Sequence, residues 1–171
     1  MGRWRRSGFT LVELVLVMTV VGILSVAAVP AFLNTGGPKA DGAARKVVSD
    51  LSYARRLAQN RNGIYGVSFS AANDRYTVYL YNPATNSTTP ITDPLVGTPM
   101  IVDLKVLPGL GGVDLQNPNF QGGTEVRFSP DGKPADANGV ALNAAGSVIL
   151  SNGGITRTVF VQPNTGEVSS Q

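Results

Sequence analysis

One run of the sequence constrains everything else. Phe9 to Leu33, FTLVELVLVMTVVGILSVAAVPAFL, is 25 residues long and carries a single charge, Glu13. As a helix rising about 1.5 Å per residue it reaches roughly 37 Å, more than a bilayer's hydrocarbon core of about 30 Å. Ahead of it stands a short basic tip, with Arg3, Arg5 and Arg6 among the first six residues. Positive charge flanking a membrane helix stays cytoplasmic, so the rest of the chain is expected to face outward.

Three readings of this run compete. A secretory signal peptide has a basic start, an apolar stretch and a zone of small residues such as SVAAVPA. The apolar stretch here is too long for that, and it contains a glutamate. A plain membrane anchor fits the length but leaves Glu13 unexplained. A charged side chain at the centre of a membrane helix costs about 2.5–3.5 kcal/mol, less near an end, and such residues are rare without a partner. The third reading supplies that partner. Gly22 and Pro30 fall inside the run. Membrane helices tolerate both residues, but Pro30 also removes one backbone hydrogen bond and crowds the preceding turn. They read either as tolerated substitutions or as weak points of the helix.

The stretch GFTLVEL, with Gly8 before a junction, Phe9 after it, Glu13 four residues further and the apolar run following, resembles the type IV prepilin signature. Type IV pilins and the pseudopilins of type II secretion share that signature. The resemblance implies that a prepilin peptidase cuts between Gly8 and Phe9 on the cytoplasmic side and that Phe9 is N-methylated. The cut creates a positive amine on Phe9, about one helical turn from Glu13. In a stack of staggered subunits, the Glu13 carboxylate of one could meet the amine of the next, and the resemblance implies that Glu13 guides this docking.

Composition narrows the chemistry of the remainder. Hydrophobic residues make up 43% and charged residues 15%, enough for a packed core. The 31 glycines and prolines together suggest a loop-rich, β-rich body. Neither cysteine nor histidine occurs, which excludes disulfides, thiol nucleophiles, Cys/His zinc sites and histidine bases. Of the 14 basic residues three lie in the tip, leaving 11 against 11 acidic ones. A nucleic-acid-binding body normally has a basic surplus, so nucleic acid is not expected as a partner.

Asn34 to Gly42, NTGGPKADG, reads as a break or hinge, because two glycines and Pro38 disfavour helix. Ala43 to Asn62 then shows one apolar stripe: Ala44, Val47, Val48, Leu51, Ala54, Leu57 and Ala58. Asp50, Arg45, Arg55, Arg56 and Arg61 are assigned to its other faces, as solvated surface or as a docking face for neighbouring subunits. After Gly63 the period becomes two. Strands are predicted at Ile64–Ser70 and Tyr76–Asn82, joined by a hairpin, at Met100–Val106, over TEVRFS, at Gly146–Ser151 and Ile155–Gln162, and over a final EVSS. Residues 83–98 and Pro108–Gly123 are predicted irregular. PDGK is a turn sequence.

DLSYARRLAQNRN before an alternating strand, VRFSPDGKP midway and GSVILSNGGITRTVFVQPNTGEV near the end resemble the GspH/FimT group of minor pseudopilins and pilins. The resemblance spans nearly the whole chain. It implies an α+β, pilin-like fold: a long N-terminal hydrophobic, transmembrane helix followed by an antiparallel β-sheet globular domain. The expected organisation is a basic leader (1–8), a transmembrane and filament-core helix (9–33), a hinge (34–42), an amphipathic helix (43–62) and a β-rich domain (63–171). The implied function is that of a minor pseudopilin of the type II secretion pseudopilus; the alternative is a FimT-like minor type IV pilin serving pilus assembly or DNA uptake. The expected location is the bacterial inner membrane, single-pass, with the C-terminal domain periplasmic, and a filament after assembly. Expected partners are the prepilin peptidase, other pseudopilin or pilin subunits and inner-membrane lipid.

No enzymatic role, cofactor or metal is expected. Asp131 and Asp136 in DGKPAD lack calcium-loop spacing, the glycines of NTGGPKADG lack the lysine and hydroxyl of a phosphate loop, and nothing sets a serine beside a lysine with a third orienting group. A DNA-uptake role would need a basic patch; Arg127, Lys133 and Arg157 are the candidates, while the tail GEVSSQ has one acid and no base.

Overall fold

The computed structural model describes residues 10–33 and 36–171, with side chains given for 10–25 and 36–171. The chain divides into two compact units, one up to Thr35 and one from Gly36 to Gln171.

In the first unit, helix α1 spans Leu11–Leu33. Leucine, valine and methionine hold its backbone without competing for its hydrogen bonds. Its few hydroxyls are turned inward: Thr19 Oγ1 donates to Leu16 O at 2.8 Å and Ser25 Oγ to Val21 O at 2.7 Å. Side chains satisfied by their own helix present no unpaired donor to lipid. Leu11, Val12, Met18 and Ile23 are all more than two-thirds exposed. The part of α1 with described side chains, residues 11–25, is by itself about 22 Å long. Among the fully described residues, therefore, no helix is long and apolar enough to cross a membrane.

The second unit opens with helix α2, Gly36–Arg61. The break expected over 34–42 is thus helical from Gly36 onward. Pro38 sits in the first turn, where backbone N–H groups have no intrahelical acceptor, so its missing donor costs little there. The predicted stripe is the buried one: Ala44, Val47, Leu51, Ala54 and Ala58 are buried, with Val48 and Leu57 packed at its margin.

The strands are β1 Ile64–Ser70, β2 Arg75–Asn82, β3 Ser87–Pro90, β4 Ile101–Asp103, β5 Asp114–Asn119, β6 Glu125–Phe128, β7 Pro134–Ala135, β8 Gly146–Asn152, β9 Ile155–Val161 and β10 Val168–Ser170. They form two antiparallel sheets. The first runs β3-β2-β1-β6-β7, with β4 also paired to β2; the second runs β10-β9-β8-β5. Helix α2 packs on β1 and β2 of the first sheet and on β8, β9 and β10 of the second. The core between them includes Val67, Phe69, Tyr76, Val78, Phe128, Val148 and Leu150.

The β1–β2 hairpin turns at Asp74, which adopts a left-handed conformation at φ 50°. Its carboxylate accepts the Leu115 N–H at 2.7 Å, tying the first hairpin to β5 of the other sheet. Stacked rings of Phe69 and Phe120, 5.6 Å between centroids, make a second tie.

Strands β5 and β3 lie where the sequence predicts irregular chain, and β7 follows directly on the PDGK turn. The predicted strand Met100–Val106 shortens to Ile101–Asp103, because Leu104 N donates back to Asp74 O and the chain then turns.

Candidate functional site

The residues singled out for processing and assembly cluster at the start of the chain. Gly8 and Phe9 lie outside the described residues; Glu13, Gly22 and Pro30 all fall within α1. Thr10 begins the helix. Its hydroxyl accepts the Glu13 N–H at 3.2 Å, and its carbonyl accepts the Leu14 N–H at 3.1 Å. Thr10-Leu11-Val12-Glu13 therefore matches the spacing of a capping box, with Glu13 at the third helical position. A carboxylate in the first turn also meets the positive end of the helix dipole.

This local role offers an alternative reason for the glutamate, and magnitudes compare the two. An exposed first-turn carboxylate gains about 0.3–1 kcal/mol from the dipole. Burying an ionised carboxylate in lipid costs about 2.5–3.5 kcal/mol at the centre and less near an end. Capping therefore offsets only part of the mid-membrane cost. At Gly22, an added Cβ would meet nothing within 4 Å, so no neighbour among the described residues demands a glycine there.

In the body, the sequence reading misplaces one residue. Asp50 is 4% exposed, not on a solvated face. Its carboxylate accepts both bonds from Lys46 Nζ, at 2.7 and 2.6 Å, and one from Tyr76 Oη at 2.6 Å. It fastens α2 to β2. Burial first, and the Asp50 charge second, raise the Tyr76 phenol well above its ordinary pKa, so the hydroxyl stays a donor. Lys46, one helical turn before Asp50, was the only sequence signal of this contact.

The three candidate basic residues do not form a free patch. Arg127 pairs with Glu125 at 2.8 Å, donates to Tyr79 Oη at 3.3 Å and lies 3.8 Å from the centre of the Tyr81 ring. Lys133 pairs with Asp131 at 2.9 Å, and that ammonium, with the Ser129 hydroxyl, holds the exposed Asp131 carboxyl down to about 2. Arg157, on β9 of the other sheet, pairs with Asp41 of α2. Asp131 and Asp136 each brace their own turn, accepting backbone N–H groups of Lys133 and of Asn138 and Val140. Among the described residues no cluster of three or more acidic side chains is arranged to hold a metal.

Against this geometry, the family model for the type II transport protein GspH matches residues 43–165, nearly the whole of the second unit. The chain belongs to the GspH family of type II transport proteins. A second model, the prokaryotic N-terminal methylation motif, matches residues 5–29, the stretch that holds Gly8, Phe9 and Glu13. No curated protein matches the chain. Among solved structures, a minor pseudopilin EpsH from the type 2 secretion system of Vibrio cholerae is similar in fold, with 14% identity and a TM-score of 0.56 over 78% of this chain and 96% of that one. A second EpsH structure gives 14% identity and 0.52, over 78% and 93%. The type IV minor pilin FimU of Pseudomonas aeruginosa follows at 10% identity and 0.47, over 77% and 91%.

The fold is therefore the pilin-like one, and the family is one of structural pseudopilins. As a GspH-family protein the chain is of the type II transport class, and its body has the fold of a minor pseudopilin. The family match begins at residue 43, within α2, takes in the PDGK turn and ends at Thr165, one residue short of the end of PNTG. Arg55 joins these turns to α2. Its Nε donates to Gly132 O at 3.2 Å, and a Cβ on Gly166 would press against that same Nε at 3.2 Å.

Proposed function

We propose that the chain is an inner-membrane-anchored minor subunit of the secretion pseudopilus. A prepilin peptidase cuts between Gly8 and Phe9, and Phe9 is N-methylated. Residues 9–33 hold the subunit in the membrane, with the body on the periplasmic side, until assembly moves the helix into a filament core. Protein contact there replaces lipid contact, so extraction exposes no apolar surface to water. Glu13 pairs with the Phe9 amine of a neighbouring subunit and sets the axial register. Gly22 and Pro30 give the helix weak points at which it can yield during that move. The chain acts as a structural subunit and not as an enzyme.

The observation that carries this reading is the position of Glu13: the lone acid of the apolar run, inside the methylation-motif match, in the first turn of α1. A DNA-uptake role draws no support from the body, since Arg127, Lys133 and Arg157 are each engaged by a carboxylate. The test is Glu13→Ala. The variant is expected to be cleaved and membrane-inserted yet absent from sheared filaments. Incorporation at the wild-type level would remove the docking role.

A further inference from the structure

Six large hydrophobic side chains of the body are exposed, and four of them line one cleft. Leu95 is 93% exposed, Val96 69%, Ile101 52% and Val106 74%. They surround a volume of about 410 Å³, with Lys46 of α2 in its wall. A second cleft of about 280 Å³ shares Lys46, Leu95 and Met100 with the first and adds Tyr53 and Arg56. An apolar cluster of this kind, rimmed by polar groups, marks a contact surface more often than chance exposure.

The apolar lip is built rather than loose. Asp93 N donates to Thr98 O at 2.8 Å, Gly97 N to Asp93 O at 2.8 Å, and Leu95 N to the Asp93 carboxylate at 2.8 Å. The residues between Asp93 and Thr98 form a closed turn that holds Leu95 and Val96 out in water. Nothing in the body's own packing rewards that placement.

Charge selects what fits. Helix α2 has six basic residues, Lys39, Arg45, Lys46, Arg55, Arg56 and Arg61, against two acids, Asp41 and Asp50. Both acids are consumed within the chain, by Arg157 and by Lys46 with Tyr76. Arg45 and Arg56, eleven residues apart and so on the same outward ridge, have no ion-pair partner among the described residues. The Asp93 carboxylate, which lines the smaller cleft with Arg56, is occupied as the brace of its turn, and Asp103, in the wall of the larger cleft, pairs with Arg75 at 2.7 Å.

We infer that the cleft between α2 and the Asp93–Thr98 turn receives a carboxylate-bearing apolar segment of a neighbouring pseudopilin, with Leu95 and Val96 packing on its apolar side chain and Arg56 meeting its acid. The inference rests on the filament-subunit reading and adds to it a lateral contact far from Glu13 in the sequence. Rigid aromatic and arginine side chains next to an apolar pocket are the usual anchors of such contacts.

The test places a photo-crosslinking amino acid at Leu95 in the full chain, in cells that carry a complete set of secretion pseudopilins, with a second crosslinker at exposed Val140 as control. The expected result is a Leu95 adduct with a different pseudopilin, mapped by mass spectrometry to a segment containing Asp or Glu, and none at Val140. Arg56→Glu is expected to lower the adduct yield about tenfold or more, since it sets like charges together; Arg61→Glu, at a different groove, should leave it within about twofold. An adduct only with a second copy, only with a secreted protein, or one indifferent to Arg56→Glu overturns the inference. So does the absence of an adduct when the same cells hold the chain cleaved at Phe9 and membrane-bound, and that outcome leaves the filament reading standing. A chain still starting at Met1 overturns both.

Discussion

Removing the Asp50 carboxylate tests how the body holds its helix. In Asp50→Ala, Lys46 loses its partner, but its side chain is 34% exposed and turns to water. Tyr76 does not have that option, because it is 1% exposed. Its hydroxyl loses the 2.6 Å bond to Asp50 and is left buried and unpaired. An orphaned buried hydroxyl costs about 1–3 kcal/mol, and the lost charge-assisted bonds bring the sum to about 3 kcal/mol. For a domain of this size that lowers the thermal midpoint by about 10 °C. The assay is urea denaturation of the unit Gly36–Gln171 followed by far-ultraviolet circular dichroism, for Asp50→Ala, Tyr76→Phe and the double variant. Tyr76→Phe alone should cost about 1–2 kcal/mol. The double variant should cost about 1–2 kcal/mol less than the sum of the two singles, because removing both partners leaves nothing unpaired. An Asp50→Ala midpoint equal to wild type, or costs that simply add, would refute the idea that this bond locks α2 to β2.

Gly66 of β1 lies beneath the Tyr79 ring: a Cβ there would stand 2.6 Å from the ring carbon bearing the hydroxyl and 2.8 Å from Val126 O. Gly66→Ala should therefore destabilise the body by about 1–3 kcal/mol in the same assay; a cost near zero would mean the ring and strand β6 give way freely. Alkaline pH should weaken the fold through two tyrosines. Burial raises Tyr79 to about 12 and Tyr76 well above 10.0. Both bind their protons more tightly when folded, so their contribution is whole below about pH 10, the unfolded value, and is lost as pH rises toward 12. The urea midpoint should fall across that window, and Tyr79→Phe should shrink the fall; a midpoint flat to pH 12 contradicts it.

Local signals carried much of the fold. The stripe Ala44–Ala58 identified the buried face of α2, and period-two alternation located β1, β2, β6, β8 and β9 within a residue or so, because those strands bury one face and leave the other half-wet. Strand β5 was illegible for a physical reason. DLQNPN has the composition of a loop, and it becomes a strand only by pairing with β8, with a bulge at Asn117, whose φ is 45°. Strand β3 is exposed at all four positions, so no alternation marks it. Pro38 suggested a break because a proline's effect depends on where the helix starts, and the sequence does not say where that is. Asp50 looked like surface because its partner Tyr76 lies 26 residues away. At the N-terminus the balance reverses. Glu13, Gly22 and Pro30 stand out by sequence alone, and the structure adds the Thr10 cap.

The account depends on a positive amine becoming available beside Glu13. The direct measurement is the intact mass and N-terminal fragment spectrum of the chain isolated from membranes of its native host. The account predicts a chain beginning at N-methylated Phe9 and retaining the whole apolar run. A mature form that keeps Met1, or that begins near Ala31 without that run, contradicts it.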